Sequence, residues 1–115
     1  MIRYSIFLIF FFGNHRMSDI IETLKRIEAN KSVIGTLVLD AEYKVIHSAF
    51  KNSDPAKYAE KLPPLLERAA SMVKDCDPDN SLTFLRIRTE KLEILISPTD
   101  EYTLIVVQNM VMIDS

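Results

Sequence analysis

The tightest constraint on the fold lies near the C-terminal end. Residues 82–88 (LTFLRIR), 91–97 (KLEILIS) and 102–108 (YTLIVVQ) are three apolar segments with many β-branched residues, separated by only two and four residues. Links that short cannot hold the crossover that parallel neighbours require, so consecutive strands here pair antiparallel. The first segment alternates, with Leu82, Phe84, Arg86 and Arg88 on one face and Thr83, Leu85 and Ile87 on the other. The domain is therefore built around a sheet, and the rest of the chain has to cover it.

Two further strands precede these. Residues 33–39 (VIGTLVL) form a near-continuous apolar run, the pattern of a strand buried on both faces. Residues 45–50 (VIHSAF) follow a turn at 40–44, which makes the pair a hairpin. Helical spacing occurs twice. Ile20, Ile21, Leu24 and Ile27 predict an amphipathic helix over 18–31, capped by Ser18 or by Asp19 with Glu22. Tyr58, Leu62, Leu65, Leu66, Ala69 and Val73 predict a second helix reaching to about Lys74. Pro63 and Pro64 stand inside it, remove two donors and predict a break or kink near Leu62. The order α-β-β-α-β-β-β gives an α+β domain with a five-stranded, mostly antiparallel sheet and two main helices.

Composition then narrows the chemistry. A chain of 115 residues suits one domain, and 14 basic against 16 acidic residues leave a net charge of −2. With no basic run, neither nucleic acid nor an anionic membrane is expected as a partner. Two isolated glycines cannot build a phosphate-cradling loop, and two histidines with one cysteine offer little for a metal. No cofactor and no small-molecule substrate are expected. A binding module is favoured over an enzyme.

The remaining candidates read as structural. Asp75, Asp77 and Asp79 alternate like the opening of a calcium loop, but Arg86 stands where the closing glutamate belongs, so the segment reads as a helix-end turn. Cys76 has only acidic neighbours and reads as unreactive. His47 reads as a surface or satisfied-core residue, and Glu90 and Glu93 carry nothing that marks an acid/base pair. In contrast, Arg86 and Arg88 share a face with Leu82 and Phe84, a mixed apolar and cationic surface of the kind enriched in protein interfaces. Residues 1–16 (MIRYSIFLIFFFGNHR) hold no acid, and their apolar run is too short to span a bilayer. They read as an extension outside the fold, with the domain over 17–109 and a tail at 110–115.

Several of these residues carry a family resemblance. Glu22-Thr23-Leu24-Lys25-Arg26, Asp77-Pro78, Asn80, the block from Leu82 through Thr83-Phe84-Leu85-Arg86-Ile87-Arg88, and Leu104-Ile105-Val106-Val107-Gln108-Asn109 resemble the roadblock-type light chains of dynein. The similarity spans residues 17–109 without gaps. It implies a non-catalytic subunit of a microtubule motor in the cytoplasm, acting in transport as part of the cytoskeleton. It further implies a homodimer, or a heterodimer with a paralogue, that binds dynein intermediate chain. By the same resemblance Thr83, Phe84, Leu85, Arg86, Ile87 and Arg88 would form the dimer strand. Leu65, Leu66, Ala69 and Val73 would pack behind it. The alternative within the same fold is a scaffold or regulator of a small GTPase.

Three features depart from that family. Tyr43 stands where the family carries a turn glycine, which argues against a positive φ there. Pro63-Pro64 falls where the family helix is uninterrupted, and the tail at 110–115 is apolar.

Overall fold

The computed structural model describes residues 17–110. Helix α1 (Met17–Glu28) leads into the hairpin β1 (Val33–Asp40) and β2 (Val45–Phe50); helix α2 (Ala56–Cys76) follows, and β3 (Leu85–Arg88), β4 (Leu92–Pro98) and β5 (Tyr102–Asn109) close the domain. The expected element order holds. The five strands form one sheet in the order β2-β1-β5-β4-β3, with every neighbouring pair antiparallel.

Alternation along the central strands explains how two helices are accommodated. On β5, Leu104 and Val106 point to one face, and Ile105 and Val107 to the other. Leu95 on β4 and Val38 on β1 join the first set, which packs against Ile20, Leu24 and Ile27 of α1. Ile94, Ile96, Leu37 and Leu39 join the second, which packs against Leu62 and Leu66 of α2. The sheet is thus sandwiched between one helix on each face. Each fully buried Leu, Ile or Val contributes about 2 kcal/mol relative to an exposed position.

Helix α2 must carry the chain from one edge of the sheet, β2, to the other, β3. Its 21 residues span about 31 Å at 1.5 Å per residue. The four interstrand gaps total only about 19 Å, so one helix crosses the whole sheet. Its start is held by Asp54, whose carboxylate accepts the Ala56 N–H at 2.9 Å. Its end is a turn, in which the Asp77 N–H reaches the Val73 carbonyl and the Asp77 carboxylate accepts from the Asp79 N–H. The aspartates at 75–79 accordingly terminate a helix, as their pattern predicts.

Four expectations need correction. First, of the break or kink expected near Leu62, the break does not occur: α2 is continuous through Pro63 and Pro64. The prolines leave the Ala59 and Glu60 carbonyls without their intrahelical donors, but Leu62, Pro63 and Leu66 are all buried, and that packing holds the helix together. Second, α1 begins at Met17, so Asp19 lies inside its first turn rather than at the cap. Third, β3 begins at Leu85, so Thr83 and Phe84 precede the strand. The shared face expected for Leu82 and Phe84 fails for the same reason: Phe84 packs on the α1 side and Leu82 on the α2 side. Fourth, Tyr43 does adopt a positive φ, of 65°. The Asp40 carboxylate accepts the Glu42 and Lys44 N–H groups at 2.8 and 2.9 Å, and the Tyr43 N–H reaches the Asp40 carbonyl, so the turn is held despite the side chain. The expectations for 1–16 and for the tail beyond Met110 lie outside the described residues.

Gly35 on β1 sits opposite Phe50 in the register, and an added Cβ would stand 2.3 Å from the Phe50 ring. The ring lies over the strand and stacks on Tyr58 of α2, with centroids 5.6 Å apart. Gly35→Ala is expected to displace Phe50 and destabilise the fold by about 1–3 kcal/mol in urea unfolding. Pro64→Ala, at an exposed position, should instead stabilise it by about 1–3 kcal/mol by returning a donor to the Glu60 carbonyl.

Candidate interaction surface on the outer strand and second helix

Among the described residues strand β3 has one neighbour, β4, so its other edge presents backbone groups that no described strand pairs with. The expected site residues divide on this frame. Leu85, Arg86, Ile87 and Arg88 are the strand, paired with Ile96, Leu95, Ile94 and Glu93. Leu85 and Ile87 turn inward beneath α2, while Arg86 and Arg88 remain exposed. Thr83 is exposed in the preceding connection and Phe84 is half-buried there. On α2, Leu66 is buried in the core, Ala69 and Val73 are half-buried, and Leu65 is 44% exposed. Met72, which the sequence reading passed over, is 56% exposed. Leu65, Ala69, Met72 and Cys76 recur at spacings of four, three and four, which places an apolar stripe on the outer face of α2. Cys76 is a free, exposed thiol whose sulfur lies 4.0 Å from that of Met72.

A buried carboxylate lies behind the arginines. Glu93 on β4 is the only charged side chain among the described buried residues. Its Oε1 accepts a hydrogen bond from Gln108 Nε2 at 2.9 Å. Its Oε2 is 3.0 Å from Arg86 Nε and 3.4 Å from Arg88 Nε. Neither N–H is aligned for a hydrogen bond to that oxygen, so the contacts are charge pairing alone. Sequence reading missed Glu93 as a buried charge. The signal was the hairpin: with its turn at Thr89–Leu92, Arg88 and Glu93 become direct cross-strand partners.

The other candidates have local roles. His47 Nε2 is 2.9 Å from Glu28 Oε2, and that carboxylate oxygen also accepts from the Thr36 hydroxyl, which ties β2 and β1 to the end of α1. A cleft of about 440 Å³ opens between α2, the β1–β2 turn and the β4–β5 turn, with Tyr43, Glu67, Lys74 and Asp100 on its walls. The pKa of the Tyr43 phenol lies above the usual tyrosine value. Burial is the main cause, followed by the charge of Glu67 and then by hydrogen bonding to it.

No helix among the described residues is long and apolar enough to cross a membrane.

Because its pKa is raised in the fold, Tyr43 contributes stability that is fully present below the unfolded value of about 10 and is lost as pH rises through the higher folded value. Tyr43→Phe is expected to flatten the decline of stability above about pH 10. The decline should not vanish, because burial and Glu101 also raise the pKa of Tyr102. Urea titrations across that range check both points.

Residues 20–109 match the Roadblock/LC7 domain family. The fold is similar to that of a Roadblock/LC7 domain from Streptomyces avermitilis, at 12% identity over 68% of this chain and 67% of that one, with a TM-score of 0.59. It is also similar to MglB from Myxococcus xanthus, at 14% identity over 73% and 70%, with a TM-score of 0.61. A gliding protein MglB from Thermus thermophilus gives 12% identity over 77% and 70%, with a TM-score of 0.64. An MglB described in a tetrameric arrangement scores 0.66 at 12% identity. At such identities the structural likeness shows a shared fold, and the family match adds membership: this chain belongs to the Roadblock/LC7 domain family.

Proposed function

We propose that the protein is a non-catalytic docking module that works as a homodimer and serves as a scaffold or regulator of a small GTPase. The observations that carry this reading are the outer edge of β3, open among the described residues, and an apolar stripe on the outer face of α2. Main-chain pairing at an open edge is a common recognition mode, and an exposed apolar stripe supplies apolar area that backbone hydrogen bonds alone do not. In this arrangement Leu85, Arg86, Ile87 and Arg88 form the seam, with Thr83 and Phe84 leading into it. Leu65, Ala69 and Val73 line the helix side, and Leu66 supports them from within. Similarity to MglB structures, one of them described as tetrameric, supports self-association as a property of the fold.

A second reading rests on the sequence block Leu82–Arg88 taken with Asp77-Pro78 and Asn80, which resembles dynein light chains. In that case the dimer binds dynein intermediate chain in the cytoplasm and joins a microtubule motor. The MglB structures named above support the docking-module reading of the shared fold, and we place the GTPase reading first.

The two are separated by immobilising the full chain and presenting small GTPases in both nucleotide states, and separately a fragment of dynein intermediate chain. Retention of a GTPase is the expected result. Retention of the fragment alone replaces it with the motor reading. For the dimer itself, Leu65→Glu combined with Met72→Glu is expected to give monomers by sedimentation velocity. The unfolding free energy should move by no more than about 0.5 kcal/mol per exposed site.

A further inference from the structure

A pair of identical strands related by a two-fold axis has a consequence for β3. An axis perpendicular to the sheet keeps each side chain on its own face, and directly opposed residues in an antiparallel pair share a face. The axis must then pass through a residue rather than between two. Centred on Arg86 or on Arg88, it sets that arginine opposite its own copy. Centred on Ile87, it sets Arg86 of each copy opposite Arg88 of the other. Three of the four residues of β3 therefore centre a register that places arginine against arginine with Cβ atoms about 5 Å apart, where like charges are destabilising; the fourth, Leu85, sets Arg86 opposite Phe84, which lies before the strand. A short edge strand carrying two cations is, on its own, an edge protected against pairing.

Glu93 removes that protection. Its side chain is only 3% exposed, whereas Arg86 and Arg88 are 39% and 54% exposed. It lies one strand in from the seam, held by Gln108, so a second copy can approach β3 without displacing it. A buried carboxylate so close to both guanidinium groups cancels one of their two charges in each protomer, and burial limits its screening by salt. The fold does not need a charge there, since a buried ion pair is often no more stabilising than apolar residues of similar volume.

We propose that Glu93 is the positioning residue that permits β3 to pair with a second copy of this chain, by offsetting the repulsion between the arginines at the seam. The proposal rests on the dimer reading above. Its test is sedimentation equilibrium of the full chain, wild type against Glu93→Gln and Arg88→Gln, at low and high salt. Glu93→Gln leaves both cations uncompensated and should raise the dimer Kd by about tenfold or more at low salt, with the gap narrowing at high salt. Arg88→Gln brings the cluster to neutrality at an exposed position and should tighten the dimer at low salt.

A folded Glu93→Gln protein with wild-type Kd overturns the proposal, as does a loss of affinity that salt does not change, which marks a purely structural role. Should Glu93→Gln fail to fold by circular dichroism, Arg88→Gln decides, and unchanged or weaker pairing overturns the proposal. A wild-type chain that stays monomeric removes the strand-pairing reading itself, and is told apart by requiring no variant.

Discussion

Strand β5 is buried along almost its whole length, and both helices depend on it. It lies at the centre of the sheet, between β1 and β4, and its alternate residues feed the two apolar layers. Removing either helix would expose one complete set of those residues. The two layers are therefore joined through the pleat of a single strand, and the domain has one cooperative interior rather than two separate ones. The outer strands β2 and β3 are by contrast half-exposed, and any surface open to a partner has to be sought there or on the helices.

Helix α2 illustrates how packing outweighs local preference. Two consecutive prolines cost hydrogen bonds and strain in a helix interior. Here they fall where Leu62, Pro63 and Leu66 are pressed against the sheet. The ring of Pro63 is itself part of the buried contact, and Pro64 faces outward. The same helix has a second apolar face, exposed among the described residues at Leu65 and Met72. A helix with one covered face and one exposed apolar stripe is suited to holding its own domain together while meeting another.

The charge arrangement at β3 and β4 fits that division. Exposed arginines usually discourage strand pairing, and buried carboxylates usually cost stability. Placed against each other they compensate, because Glu93 is desolvated close to two cations and fixed by Gln108. Neither residue type is unusual alone. Their registration across one hairpin gives the edge its character.

The sequence by itself determined the number, type and order of the elements, because apolar spacing and short links are local properties that act before any long-range contact forms. It also determined the hairpins, since two- and four-residue connections leave no other way to pair. Only the tertiary structure decided the rest. Leu82 and Phe84 were expected on one face because alternation holds inside a strand; β3 starts after them, and they pack on opposite sides of the sheet. The break expected near Leu62 does not occur and Tyr43 takes the positive φ that its side chain argued against, since burial against the sheet and the Asp40 hydrogen bonds supplied what the local sequence lacked. Glu93 became a buried charge through a cross-strand register with Arg88 and Gln108. Residues 15 positions apart are brought together by strand order, which no local pattern encodes.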